Sequence, residues 1–304
     1  MIKLPEISND DKELFLKDVE DSYVTVLNDI IHDPAYRKLV DYVYIKGKIS
    51  KTRIRKIIIG DINELNKIIQ IVGTIKRKDN EAIYKRFENV YTKFSRRTFG
   101  HNWAKRIGVK ICPYCNRSFI YTLSNGTRPQ YDHFYPKSLY PYLSISLYNL
   151  IPCCSICNNS KKDEDVYQND ESILYPFEDE YGYDISFRLE TNDVLSYIGM
   201  SDSFFLKIQA NDSVDKKLKQ RVENTINKLH IENLYNLHKD YVIKLLRNKY
   251  IFSNDYCESL VKSYPLFFSN TDEVKDQLYF NCLKKEEWGE QILSKLTYDI
   301  LNDK

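Results

Sequence analysis

A chain of 304 residues with 42% hydrophobic and 29% charged side chains, nine Gly and nine Pro is neither a disordered nor a fibrous sequence. At about 150 residues per domain it holds roughly two domain-sized units, enough to bury a sizeable core. The formal net charge of +2 conceals segregation: nine Lys or Arg stand between Lys93 and Lys137 against one acid, Asp132, whereas every charged residue from Asp163 to Asp184 is acidic.

The opening MIKLPEISNDDKELFL lacks the basic start and apolar core of a signal peptide, and no apolar run approaches the ~18 residues of a membrane helix, so a cytoplasmic protein is expected. Seven cysteines in a reducing compartment do not make a disulfide framework, and five of them fall between Cys112 and Cys157, which favours a metal. The basic block beside them suits a polyanion such as nucleic acid, although solvated helix faces explain it equally well.

Residues 1 to about 100 read as helical. Apolar residues recur at helical spacing in DKELFLKDVEDSYVTVLNDIIHD and in DINELNKIIQIVGTI, where Ile62, Leu65, Ile68 and Ile69 share a face. Between them KGKISKTRIRK, Lys46 to Lys56, is basic enough to touch nucleic acid, but a plain solvated turn is the simpler reading.

From residue 111 to about 165 the chain is short-paced and rich in Cys, Pro, Tyr and Asn. RSFIYTLSNGTRPQYDHF predicts a strand, an Asn125-Gly126 turn and a second strand, with Asp132 and His133 at its end. LSISLYNLI then alternates as a strand would, with Leu143, Ile145, Leu147 and Ile151 on one side and Asn149 in register with them; an amide on an apolar face needs buried partners. A helix is expected from Cys157 to Asp165.

Beyond residue 175, YPFEDEYGYDISFRLE and SFFLKIQ predict two or three strands, followed by an amphipathic helix marked by Val214, Leu218, Val222, Ile226 and Leu229 and by another in ENLYNLHKDYVIKLLRNKY. The last fifty residues read as more helix. His230 and His238 fall on these helices as ordinary structural residues, and Cys257 and Cys282 are most simply buried apolar side chains.

Cys112-Pro-Tyr-Cys115 and Cys154-Ser-Ile-Cys157 are two C-x-x-C pairs separated by 38 residues, a spacing that suits a tetrahedral structural zinc site. A redox pair needs only one C-x-x-C in a thioredoxin-like context, which is absent. Cys153 reaches the pair only as C-x3-C and reads as a bystander. Such a staple would hold hairpin, loop and helix together without a large apolar core.

The combined order of C-x2-C, Asp132-His133 followed by Pro136-Lys137, Tyr148-Asn149-Leu150 and C-x2-C-N-x2-K ending at Lys161 resembles the HNH endonucleases, whose fold is a ββα-metal finger. The resemblance covers fifty residues, Cys112 to Lys161. Together with the patterning of the flanks it gives the expectation of an α+β, mostly helical chain: an N-terminal helical region over 1–100, a zinc-stapled nuclease module over 101–175, and strands then helices over 176–304, for which the resemblance implies a partner-binding role. More narrowly, CPYCNR, DHFYPKSLYP and LYNLIPCCSICN are similar to HNH proteins of Septu-type anti-phage defence systems, which implies an SMC-like or ABC-like ATPase partner.

The implied roles agree with the chemistry of phosphodiester hydrolysis, which needs a base for the attacking water and a hard cation for the leaving oxygen. His133 is the implied general base, its imidazole titrating near neutral pH. Asp132 and Asn158 are the implied ligands of Mg2+ or Mn2+, with Asn159 an alternative if the helix starts one residue later. Asn149 resembles the middle Asn of the motif, which orients the base by hydrogen bonding. Arg117, Lys137 and Lys161 are candidate phosphate contacts, each equally readable as a solvated cation. Taken alone, Asp132 is a turn cap and His133 an interior histidine. The same residues also fit a zinc module that binds DNA, RNA or a partner without cutting.

Overall fold

The computed structural model describes residues 1–75, 81–96, 98–123, 126–167 and 172–303. It is a mixed α+β chain, mostly helical, with small two-stranded sheets. Its residues cluster into two compact units: Leu4–Val109 with Ile120–Phe177, and Met1–Lys3 with Lys110–Phe119 and Glu178–Lys304. The expected N-terminal helical region therefore groups with most of the module that follows it, not as a region of its own.

The first unit opens with six helices: α1 (Asn9–Asp29), α2 (Arg37–Val43), α3 (Lys51–Ile59), α4 (Ile62–Val72), α5 (Glu81–Arg96) and α6 (Thr98–Ile107). A minimal ribbon, β1 (Tyr44–Ile45) with β2 (Lys48–Ile49), separates α2 from α3. Ser8, Ser50 and Asp61 cap α1, α3 and α4 by accepting backbone N–H bonds that would otherwise lack partners. α4 turns Ile62, Leu65, Ile68, Ile69 and Val72 inward and stops at Gly73, whose φ of 75° only glycine adopts without strain. Phe15 of α1 meets Phe94 of α5 and Trp103 of α6 edge-on, and Tyr23 packs against Phe87. Each such buried ring contributes about 2–3 kcal/mol through lost contact with water. The basic stretch of Lys46 to Lys56, expected as a plain turn, instead spans β2 and the first residues of α3, and it is partly neutralised within this unit, since Arg55 pairs with Glu13 and Lys56 with Glu64.

The same unit carries β3 (Gln130–His133), β4 (Leu150–Cys153) and α7 (Ser155–Lys161). β3 and β4 are antiparallel, with Asp132 opposite Ile151 and His133 opposite Leu150. This corrects the expected hairpin, in which β3 would pair with residues 117–123. A turn bond from Leu123 N to Thr127 O remains, while Asn125 lies outside the described residues. The strand expected over 143–151 is also corrected. Residues 141–143 and 147–149 form 3-10 turns, and only Leu150–Cys153 is extended. Residues 140–147 are all buried, so the alternation there does not separate two faces.

The second unit is built on the antiparallel hairpin β5 (Ile185–Glu190) and β6 (Phe205–Ala210), joined through α8 (Val194–Tyr197). It continues with α9 (Lys216–Lys228), α10 (Ile231–Tyr235), α11 (Lys239–Ile251), α12 (Asn254–Ser263), α13 (Thr271–Tyr279) and α14 (Ser294–Asn302). α14 packs on β5 and α11. Ile111 pairs with Phe119 as an isolated bridge, and Ile2, Ile111 and Trp288 form one apolar cluster. Cys257 is buried as expected, whereas Cys282 is only half-buried. No helix among the described residues is long and apolar enough to cross a membrane.

Candidate metal centre and adjoining cavity

The sulfurs of Cys112, Cys115, Cys154 and Cys157 all lie within 4.8 Å of one another, and all four residues are buried. Tetrahedral zinc with Zn–S bonds of about 2.3 Å sets its sulfurs about 3.8 Å apart, so this cluster fits zinc with a small contraction. Local structure prepares each pair. Cys112 N donates to Ser118 O at 2.9 Å and Asn116 N to Cys112 O at 2.8 Å, which closes the first knuckle as a tight turn with Asn116 at φ 50°. In the second, Cys154 caps α7 and its sulfur accepts from Cys157 N at 3.4 Å. Cys153 stays outside the cluster, its thiol pushed well up by burial and by the Asp132 charge, as suits a bystander.

Asn116 was not singled out in the sequence, yet it is fully buried and fastens the first knuckle to the turn before α14. Its Nδ2 donates to Trp288 O at 2.9 Å, and its Oδ1 accepts from Ser294 Oγ and Lys295 N, both at 3.1 Å. Only its place directly after C-x-x-C, where a left-handed residue closes the knuckle, could have marked it.

A cavity of about 500 Å3 opens over the end of β3 and the side of α7. Tyr91, Asp132, His133, Lys137, Asn158 and Asn159 are among its lining residues. Asp132 and His133 are both buried despite facing it, His133 being 8% exposed. His133 Nε2 lies 2.9 Å from Ser144 O; a carbonyl only accepts, so Nε2 carries the proton. Burial, and then the charges of Lys137 and Lys161, push the imidazolium down to about 3, which corrects the near-neutral titration expected of it as a base. The ring is thus neutral at physiological pH, and Nδ1 keeps its lone pair. Tyr91 of α5 holds the ring from one side, edge-on at 4.5 Å between centroids.

Lys161 departs most from expectation. As a phosphate contact it would reach solvent, but its side chain is 0% exposed: Nζ donates to Asp132 Oδ1 at 3.2 Å and to His133 O at 2.8 Å. It compensates the buried carboxylate and ties α7 to β3. Lys137 does line the cavity, half-buried, 3.6 Å from Glu88 and over the Tyr91 ring. Arg117 belongs to the other unit, where its Nε donates to His238 Nε2 at 3.0 Å and its guanidinium faces Tyr235.

Asn149 is fully buried, as an amide on an apolar segment must be, but it does not bond the His133 ring. Its Oδ1 accepts from Tyr135 N at 2.7 Å, and its Nδ2 donates to Tyr135 O and Leu143 O. It pins the loop whose Ser144 carbonyl receives His133, so any hold on the base is indirect. Asn158 donates from Nδ2 to Gln130 Oε1 at 2.8 Å, and its Oδ1 accepts no hydrogen bond among the described residues. Asn158 and Asn159 both line the cavity. Much of the basic block is engaged internally: Arg106 with Asp11, Lys110 with Glu290, and Arg128 with Ser95 O; Arg97 lies outside the described residues.

The chain is similar to protein ea31 of Escherichia phage lambda, with 30% identity over 173 residues, which is 55% of this chain and 53% of that protein. It thus spans about half the length of the curated relative it matches. No family model matches the chain, and no solved structure matches it.

Proposed function

We propose that this chain is a metal-dependent endonuclease of the HNH kind that hydrolyses DNA phosphodiester bonds, with zinc in a purely structural role. The observation that carries the reading is that Asp132, His133 and Asn158 line one cavity, at the junction of an antiparallel strand pair and a short helix. A carboxylate and an amide oxygen are the hard donors that Mg2+ or Mn2+ takes, so Asp132 and Asn158 would hold the ion. Bound there, it would supply a Lewis acid for the charge that develops on phosphate and leaving oxygen. His133 accepts the proton of the attacking water at Nδ1 while Ser144 O holds Nε2–H, fixing the tautomer and the ring plane. Tyr91 restricts the ring from the side, and Lys137 adds positive potential where a phosphate would enter.

Plasmid cleavage with Mg2+ or Mn2+ by the zinc-loaded protein, beside a His133→Ala variant and an RNA arm, tests the reading. Loss of about 10²–10⁴-fold in the variant is the size expected of a general base. Unchanged cutting with zinc retained would sink the assignment.

One observation favours a second reading, a zinc module that binds nucleic acid without cutting. Asp132 already has its charge compensated by Lys161, and His133 is nearly buried. Binding with no divalent-dependent cleavage would establish it. The resemblance to Septu-type proteins further supports a place as the nuclease effector of an anti-phage complex with an SMC-like or ABC-like ATPase. Elution of the two proteins as separate species at micromolar concentration would count against that partnership.

A further inference from the structure

The second unit contains a cavity far from any role in the reading above. It has a volume of about 530 Å3, within the range of ~300–1,000 Å3 usual for small-molecule sites. Its charged lining is lopsided, with Lys249, Lys275 and Lys284 against the single acid Asp272. Lys249 is engaged in donating to the carbonyls of Ile300 and Asp303, which end α14. Lys275 and Lys284 make no ion pair among the described residues, although the Lys284 charge acts on the Asp276 carboxyl. Phe252, Tyr279 and Tyr298 add aromatic surface to the same walls.

The combination is selective. Unpaired ammonium groups at a concave site favour an anion with several acceptor oxygens, of which phosphate is the commonest kind. Three aromatic side chains favour a flat ring system that stacks or packs edge-on, which a bare phosphate lacks. Residues Ser253 and Asn254, at the start of α12, also line the cavity, so the positive end of that helix adds to the lysines. A duplex is too wide for an enclosure of this size, whereas a single nucleotide fills it.

We infer that this cavity binds a nucleoside phosphate, with Lys275 and Lys284 on the phosphate groups and the Phe252, Tyr279 and Tyr298 walls against the base. The site lies wholly within one unit and requires neither nuclease activity nor divalent metal at Asp132.

Calorimetric titration of the full, zinc-loaded chain with ATP, AMP, adenosine and inorganic phosphate, each alone, tests it. Saturable ATP binding at least about tenfold tighter than either adenosine or phosphate is expected, since only the nucleotide uses both walls and lysines. The double variant Lys275→Ala/Lys284→Ala should weaken ATP binding by at least about tenfold. Both side chains are at least partly solvent-exposed, so the melting temperature and zinc content of the variant should match the parent. Phosphate binding as tight as ATP would overturn the nucleotide assignment. ATP affinity unchanged in the double variant, or no saturation at millimolar nucleotide, would overturn the site.

Discussion

Among the described residues each unit buries one lysine–aspartate pair, and the two pairs differ in everything except their chemistry. Lys161 and Asp132 come from different elements, α7 and β3, and Asp132 lines a cavity. Lys295 and Asp299 sit one turn apart on α14, where Lys295 faces the Trp288 ring and Asp299 accepts from Phe187 N of β5. Burial pulls the Lys295 ammonium down and the Asp299 carboxyl up, the signature of a charge pair enclosed by protein. A buried ion pair is therefore not by itself the mark of a site. What separates the first pair is the open space beside it and the neutral imidazole one residue away.

The largest effect that can break this contrast is removal of zinc. Structural zinc in thiolate sites contributes on the order of 10 kcal/mol to folding. α7 carries Cys157 and Lys161 four residues apart, so chelation should release the first pair directly. The second pair has no cysteine on its own helix and is tied to the cluster one step removed, through Asn116, which follows Cys115 and accepts from Lys295 N. Hydrogen exchange after chelation should quicken in α7 and β4 before α14; equal quickening in all three would show that the two pairs depend on the metal alike.

Next in size are the lysines themselves. Leaving a buried carboxylate without its partner costs about 3–5 kcal/mol, so Lys161→Met and Lys295→Met should each destabilise by that much in denaturant unfolding. They part when Mg2+ is added. A divalent cation bound at Asp132, as proposed, would take over the compensation and should restore part of the Lys161→Met loss, while Lys295→Met should gain nothing. Recovery in neither variant would remove Asp132 from the list of metal ligands.

A smaller effect is expected from one buried amide in each unit. Asn149→Ala strands backbone groups of Tyr135 and Leu143, and Asn116→Ala strands those of Trp288 and Lys295, at about 2–4 kcal/mol each. Stability should fall similarly, but cleavage per folded molecule should fall only for Asn149→Ala, because its loop carries the Ser144 carbonyl that holds His133. Equal cleavage in both would make Asn149 a packing residue and nothing more.

The contrast also marks what was legible in the chain. The four clustered cysteines announce themselves through C-x-x-C spacing, a local signal, whereas Asp132 and His133, a turn cap and an interior histidine when taken alone, stand out only through the resemblance of the whole motif order. The pairing of β3 with β4 was not readable: it spans the loop from 134 to 149, and an Asn-Gly signal pointed to a nearer partner. Lys161 looks like any surface lysine until a strand places a carboxylate and a carbonyl against it. The Ser144 carbonyl has no side-chain signature at all, so the acceptor that sets the His133 tautomer is visible only once the loop is folded. The six N-terminal helices were expected as helix, yet nothing in their periodicity tells that α5 supplies Tyr91 to the ring of His133.

The smallest effect is also the most specific, since it sets one histidine from each unit against the other. His133 is held down to about 3 by burial first, and His238 is lowered by partial burial and by Arg117. A group depressed in the folded state contributes fully above its unfolded value, near 6.5 for histidine. It loses that contribution as pH falls, because the unfolded chain takes up a proton that the folded chain refuses. For His133 the loss runs from about pH 6.5 toward 3 at about 1.4 kcal/mol per pH unit. Between pH 7 and 5.5, unfolding free energies of the parent should therefore fall by about 1 kcal/mol more than those of His133→Asn, the carboxylates being common to both. His238→Asn should flatten the profile less, because its ring is only partly enclosed. If the two substitutions flatten it equally, the imidazole beside Asp132 is no more shielded than the one facing Arg117 at the start of α11. Its neutrality at Nδ1 would then lose the burial that supports it.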